Sequence, residues 1–580
     1  MIREPAAACA TGSPPPGAAI TRGERAVGRE GLAMAALLAA TALVYGGSLF
    51  AGFVWDDASV VFPAAARPPA AAVRRAFSGG VVVDGLALGY FRPLVDLSYA
   101  LDGWLWGPRP FGFHLTNLLL YALCVVLAYR LARRFLGGGM AAAAAAAFAL
   151  HPVHVESVAW VQGRGDLLAF VGVAAALLAF LRGLQAEAPW AWGVAAGAAA
   201  LAGGLAKEWA LAAPLLAAAW WALVARREAV PAARALRALA PFPVALAAYA
   251  VLRAASGTGM DAGNAPSLLT AGERWLVLAP TFTRYLGLLF WPHPLSAYYT
   301  LAVPEGPLDL RVVAGGLCLA GTLGVAWWAA RRAPRAAFAL WWFLLALLPV
   351  LPVMPLKGFT MAERYLFLPS FGFALGVGLL GARLCQAASG PRARWALGAA
   401  GAAVALAWGG AVAARVPDWA EQLAFYRAMV RSAPDSAFAQ NNLGQLLVAD
   451  GLLAEGIQHL RKAVALRPDM AYAHAGLGLG YRKQGDLPRA VAALETAARL
   501  RPDDPRILGD LASALEAQGR IGEAVAVLHR LEAVRPASAE VARRLAEAYA
   551  ALGDRPGADR YAARAERLAP QAAGGREAAR

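Results

Sequence analysis

Between residues 32 and 414 the chain alternates long apolar runs with short polar breaks. The runs lie at 32–52, 114–132, 137–150, 166–182, 190–206, 209–225, 238–254, 275–291, 312–330, 337–353, 364–383 and 395–414. About 20 apolar residues cross the hydrocarbon core of a bilayer, so these runs predict membrane-spanning helices. The stretch 141–147 is carried by alanine alone, yet the position and length of its run still predict a span. The run 275–291 differs: it contains Arg284 and Pro280 and ends at Trp291-Pro292. That composition predicts a re-entrant or interfacial segment rather than a crossing. Eleven crossings remain. Residues 53–113 form a long polar stretch, and residues 1–31, rich in Ala, Pro, Gly and Arg, predict a disordered cytoplasmic tail.

After residue 415 the pattern changes. Pro434, Pro468, Pro502, Pro536 and Pro570 stand 34 residues apart, and Gly451, Gly485, Gly519 and Gly553 share that period. So do Leu443-Gly444, Leu477-Gly478, Leu511-Ala512 and Leu545-Ala546. Each unit reads as helix, glycine turn, helix and proline stop, which is the tetratricopeptide pattern. Four repeats cover 437–572, a connecting segment 416–436 with a helix near 419–432 joins them to the last span, and 573–580 form a tail. Such units stack into a solenoid whose ordinary role is protein binding without chemistry. The fold class is therefore all-α: a polytopic membrane domain over 32–415, with about eleven spans and one re-entrant segment, followed by an α-solenoid.

Composition agrees with a membrane domain. The 580 residues are 59% hydrophobic and 16% charged, with mean hydropathy +0.49; soluble chains carry about a quarter charged residues. A formal net charge of +16 would suit a nucleic-acid partner, but its location argues against one. Residues 416–580 hold 22 Lys and Arg against 20 Asp and Glu, so the excess lies among the apolar runs. There it recurs in clusters: Arg22, Arg25, Arg29; Arg130, Arg133, Arg134; Arg226, Arg227, Arg234, Arg237; Arg331, Arg332, Arg335; and Arg383, Arg392, Arg394. These are the short cytoplasmic loops of the positive-inside rule. They put the N-terminus in the cytoplasm and the repeats on the other side. Cys9, Cys124, Cys318 and Cys385 show no disulfide or metal spacing.

Four polar clusters fall on the predicted outer side. The first is Phe53-Val54-Trp55-Asp56-Asp57. Adjacent carboxylates raise one another's pKa, which suits a general base or a bound cation; two solvated loop acids are the plain alternative. The second is Tyr90-Phe91-Arg92-Pro93 with Asp96, His114 and Asn117, where Arg92 could hold a phosphate or anchor at the interface. The third runs from His151-Pro152-Val153-His154-Val155-Glu156 to Gly163-Arg164-Gly165-Asp166. Its His-x-x-His-x-Glu spacing is not a standard zinc pattern, so hydrogen bonding that shapes a pocket is favoured over metal ligation. The fourth joins Lys207-Glu208 to Lys357 and Glu363-Arg364-Tyr365, either phosphate ligands or boundary charges that snorkel.

Taken in order, Trp55-Asp56-Asp57, Phe91-Arg92-Pro93, His114 with Asn117, the His151–Asp166 phrases, Lys207-Glu208, and Glu363-Arg364-Tyr365-Leu366 with Pro369-Ser370 resemble the transmembrane and tetratricopeptide-repeat O-mannosyltransferases and their bacterial relatives. The resemblance covers about 32–572. It implies a GT-C-type integral membrane glycosyltransferase that takes a sugar from a polyprenyl-phosphate donor on the non-cytoplasmic side. It places the catalytic acid of the first outer loop at Asp56 or Asp57. By their chemistry Arg92, Lys207 and Arg364 are expected at the donor phosphate, with His154, Glu156, Arg164, Asp166 and Glu363 around the pocket. Members of the superfamily need a metal in some branches only, so Mg²⁺ or Mn²⁺ at Asp56 and Asp57 stays open. The expected partners are the lipid-linked sugar, membrane lipid and an acceptor protein in the repeat groove, with no nucleic acid. The expected location is a bacterial inner membrane with the repeats periplasmic. Two alternatives share the sequence: a non-catalytic membrane-anchored scaffold, and a transferase acting on an envelope glycan.

Overall fold

The computed structural model describes residues 16–79, 82–83, 86–87, 89–258, 269–299, 302–352 and 361–578. Helices make up nearly all of its regular structure; the exception is a small hairpin, Val82–Val83 with Leu86–Ala87. Pro93, Pro110, Pro189, Pro241, Pro334 and Pro391 all open helices, where the missing N–H has no partner to lose.

Among the described residues eight helices are long and apolar enough to cross a membrane: Glu30–Phe50, Pro110–Ala132, Val161–Gly183, Glu208–Ala225, Ala232–Ala255, Leu310–Arg332, Ser370–Ala387 and Pro391–Trp419. A ninth candidate is a bent pair, Gly138–Ala149 with Pro152–Ala159, its halves 52° apart. That is fewer than the eleven crossings expected. Pro189–Ala206 is diluted by Gly193, Gly197, Gly203 and Gly204, and Pro334–Val350 is short. The run 275–291, expected to be re-entrant or interfacial, lies in one unbroken helix, Ala271–Phe290, which is not among those eight. Pro280 lies inside that helix, and Gly315 of the next helix packs on the backbone of Ala279 and Pro280. The bend falls at His151-Pro152, where proline stops the preceding helix.

Two further expectations change. Helix Pro16–Tyr45 begins inside the stretch expected as a disordered tail, because its Ala, Arg and Glu continue the first span as good helix formers. Residues 1–15 of that tail lie outside the described residues. At the other terminus, helix Arg555–Ala578 runs through most of the stretch expected as a tail. The polar stretch 53–113 contains three short helices, Asp57–Ala65, Pro69–Phe77 and Pro93–Trp106.

The Arg-rich breaks gather at one end of the bundle. Arg133 pairs with Glu30 at 2.9 Å, and Arg227 donates to the carbonyls of Ala330 (2.6 Å) and Arg331 (3.2 Å). Arg335 reaches Glu228 at 3.2 Å and the Phe135 carbonyl at 3.4 Å. At the centre, helix Arg164–Gly183 packs on Pro189–Ala206 so closely that a Cβ on Gly172 would lie 2.5 Å from Gly203 Cα.

Eight helices follow the membrane domain in four antiparallel pairs, from Ala437–Ala449 with Leu453–Leu466 to Ala539–Ala551 with Arg555–Ala578. Gly451, Gly485, Gly519 and Gly553 sit at the turns with φ of 85°, 87°, 78° and 77°, a conformation other residues adopt at a cost. Helix Gln422–Ser432 seats this array on the membrane domain: its Phe425 and Met429 belong to the same buried core as the spans. Beyond it, Phe438 stacks on Tyr298 with centroids 4.7 Å apart, and Ser432 Oγ donates to Ser296 Oγ at 2.8 Å.

Candidate active site

The end of the bundle opposite the Arg-rich loops collects the polar motifs. Three ion pairs form there between residues far apart in sequence. Arg92 meets Glu208 at 3.3 Å, Lys207 meets Asp166 at 2.7 Å, and Arg364 meets Glu156 through its guanidinium, while its backbone N–H donates to the same carboxylate at 3.0 Å. The three cations share an aromatic floor. Lys207 Nζ lies 4.0 Å from the Trp209 ring centre, and Arg92 Cζ lies 5.9 Å from it and 4.3 Å from Tyr90. Trp209 meets Tyr365 edge-on at 5.5 Å, and Arg364 Cζ lies 5.2 Å from Tyr365. Cations over ring faces gain attraction without giving up their other donors.

The members differ in exposure. Lys207, Asp166 and Glu156 are buried, whereas the Arg92 and Glu208 side chains are 20% and 25% exposed and form the lip. Arg92 Nε is buried and has no hydrogen-bond partner. Burial lowers the Lys207 ammonium to about 7, against the pull of Asp166. Arg92 stands beside Phe91, which packs on Tyr249 of the helix Pro241–Ala255 at 6.2 Å. That helix turns Val244, Leu246 and Val251 outward, so the cations sit beside an apolar outer face.

The two adjacent acids separate. Asp57 is fully buried and its Oδ2 accepts the Val54 N–H at 3.0 Å, closing the elbow 54–57. Burial pushes its carboxyl well above the usual range; the Val54 amide opposes the shift and Asp56 adds to it. Asp56 opens helix Asp57–Ala65 and is only partly buried, its Oδ1 facing inward, so it is the more accessible acid of the pair. Trp55, before it, stacks on Trp160 at 5.0 Å and lies 5.9 Å from Arg364 Cζ. The elbow and the cation floor are thus neighbours.

Other candidates belong elsewhere. Arg164 is buried away from the cations: it pairs with Asp102 at 2.5 Å and donates to Asn117 Oδ1 (2.8 Å), Ser98 Oγ (3.2 Å) and the Phe113 carbonyl (2.9 Å). It staples three helices together rather than facing a pocket. Glu363 is held by Arg415 at 2.7 and 2.9 Å and by the Tyr299 hydroxyl at 3.2 Å. The members of the His-x-x-His-x-Glu trio take separate hydrogen-bond partners, although the His151 and His154 rings stay 6.3 Å apart. His151 Nε2 bonds the Leu289 carbonyl (3.0 Å), His154 lies between Tyr121 (2.9 Å) and Ser370 (2.8 Å), and Glu156 faces Arg364. His114 contacts the Gly52 carbonyl at 3.2 Å. Lys357 lies outside the described residues.

Sequence reasoning missed Trp209, Trp160, Asp102 and Gln422. Trp209 was within reach, two positions after Lys207; Gln422 and Asp102 carry no local signal. Among the described residues no three His, Cys, Asp or Glu side chains stand together as a metal site. An open depression of about 430 Å³ lined by Gly390, Pro391, Arg394 and Trp395 lies at the far end of the helix Pro391–Arg415 and takes no part in this cluster.

Residues 418–471 and 441–505 match one tetratricopeptide repeat model and residues 481–543 match another. The C-terminal unit is a tetratricopeptide array. The chain is also similar to proteins named protein O-mannosyl-transferase. Tmtc1 of Drosophila melanogaster is 37% identical over 179 residues, 30% of this chain and 21% of that protein. Tmtc2 of the same organism is 38% identical over 188 residues, 30% of this chain and 20% of that protein. Human TMTC3 is 26% identical over 369 residues, 57% of this chain and 40% of that protein. The chain resembles the transmembrane and tetratricopeptide-repeat O-mannosyltransferases. It spans between 20% and 40% of the length of these relatives. Among solved structures, MamA (22% identity, 27% of this chain and 85% of that chain, TM-score 0.25) and YrrB, a TPR protein with an unusual peptide-binding site (21%, 26% and 76%, TM-score 0.24), are similar over a limited stretch. Scores this low do not bear on the arrangement of the whole molecule.

Proposed function

We propose that this chain is an integral membrane glycosyltransferase that moves a sugar, mannose by its relatives' names, from a polyprenyl-phosphate carrier to a hydroxyl on an acceptor protein. The observation that supports this reading is the convergence of Arg92, Lys207 and Arg364 on one aromatic floor beside the Asp56 elbow and an apolar outer face. In the reaction, Asp56 takes the acceptor hydroxyl's proton as that oxygen forms a bond to the sugar C1. The bond from C1 to the phosphate oxygen breaks, and the polyprenyl phosphate leaves with the electron pair. Arg92, Lys207 and Arg364 stabilise the negative charge on that leaving group as charge-assisted donors. The lipid phosphate is already a good leaving group, so one carboxylate suffices, unlike the pair a glycosidase needs. No step is assigned to a metal.

In this reading the Arg-rich end faces the cytoplasm, and the site and the repeats lie on the opposite side of a bacterial inner membrane. The array presents the acceptor. The test is transfer by the purified full chain from a polyprenyl-phosphate mannose donor to protein acceptors. Arg92→Met removes a charged donor worth about 1.5–3 kcal/mol and should raise the donor KM roughly tenfold or more. A wild-type chain that moves no sugar, or an Arg92→Met variant with an unchanged donor KM, defeats the proposal.

A further inference from the structure

Trp55 has φ 60°, a conformation that bulky residues rarely adopt. What holds it there comes from the segment that joins the spans to the repeats. The side-chain amide of Gln422 pairs with both backbone groups of Trp55: its Oε1 accepts the Trp55 N–H at 3.0 Å and its Nε2 donates to the Trp55 carbonyl at 3.3 Å. Two residues earlier, the Ala420 carbonyl accepts the Gly52 N–H at 2.7 Å. The Trp55 ring packs on Phe425 of the same helix with centroids 5.3 Å apart, and Phe425 in turn meets Trp419 at 4.9 Å. Three hydrogen bonds and an aromatic cluster thus tie residues 52–55 to residues 419–425.

We infer that Gln422 is a positioning residue through which the seating of the repeat array sets the placement of Asp56. The peptide that follows Trp55 carries Asp56, so any shift of the helix Gln422–Ser432 relative to the membrane domain rotates the acid. The same helix is linked to the first repeat through Arg427, which pairs with Glu455 at 3.3 Å, and Phe438, at the start of that repeat, stacks on Tyr298 of the membrane domain. A load on the groove therefore has a short path of side chains to the elbow. The inference rests on the transferase reading for its catalytic consequence, but not for the clamp itself.

The test uses the full chain in lipid nanodiscs and two variants. Gln422→Ala removes both hydrogen bonds; Gln422→Glu keeps an acceptor for the Trp55 N–H and loses the donor. Amide hydrogen exchange over residues 52–60 should quicken about tenfold in Gln422→Ala and less in Gln422→Glu. Transfer should lose about tenfold in kcat in the alanine variant, with the donor KM unchanged, because the cations are untouched. Unchanged exchange over 52–60, in whichever variant folds, overturns the clamp; quickened exchange with unchanged kcat overturns its role in positioning. Asp56→Asn measured alongside reports on the transferase reading alone: if that variant is fully active, that reading fails, while the exchange data still decide whether Gln422 holds the elbow.

Discussion

Asp57→Asn and Asp56→Asn should part company. Asp57 is fully buried, and one of its oxygens is committed to the Val54 N–H. Asparagine presents an oxygen to the same amide and carries no charge to desolvate. Each pH unit by which the folded pKa exceeds the unfolded one is worth about 1.4 kcal/mol once both forms have ionised. The Asp57 carboxyl is pushed upward by burial, so the sign follows. As pH rises from the ordinary carboxylate range through the folded value, the unfolded chain ionises first and the native state loses stability. Asp57→Asn removes that loss, and at pH 7 it should melt at or above wild type. Asp57→Ala, by contrast, orphans a buried N–H at a cost of about 1–3 kcal/mol and should melt lower. Asp56→Asn removes the proposed base and should cost roughly 10²–10⁴ in kcat. Melting curves of detergent-purified protein across acidic to mildly alkaline buffers, with transfer rates for each variant, provide the assay. An Asp57→Asn variant that melts well below wild type, or an Asp56→Asn variant within about tenfold of wild-type kcat, would refute the division of roles.

Three more outcomes are expected. Lys207 should lose its charge as pH rises through about 7, so the donor KM should climb over that range and stay flat in Lys207→Arg; stability should move the other way, rising above pH 7 because the folded chain sheds this proton before the unfolded chain does. Arg164→Met should leave Asp102 buried without its cation and cost about 3–5 kcal/mol, and adding Asp102→Asn should recover part of it; a single variant that melts like wild type would show that Arg164 is not a structural staple. Gly172→Ala should lose about 1–3 kcal/mol by wedging two helices apart, whereas Gly316→Ala, with no atom near its new methyl group, should gain up to about 1 kcal/mol in the same melting assay.

Local chemistry written along the chain determined the helical class, the apolar runs and the repeat array. A 34-residue period places each turn glycine in the left-handed conformation without reference to anything distant, and proline opens or stops helices wherever it stands. The Arg clusters likewise announced one end of the bundle, since charge is costly between spans. Tertiary structure alone decided which polar residues meet. Arg92 and Glu208 are 116 positions apart, Glu156 and Arg364 are 208 apart, and Trp55 and Gln422 are 367 apart. Motif reading grouped His151, His154, Glu156, Arg164 and Asp166 because they are close in sequence, and packing sent them to separate partners. A buried polar group must find a partner wherever the fold brings one, and in a helical bundle that partner stands on another helix. The same constraint divided Asp56 from Asp57: adjacent in sequence, one closes a turn on a buried amide and the other stays the more accessible.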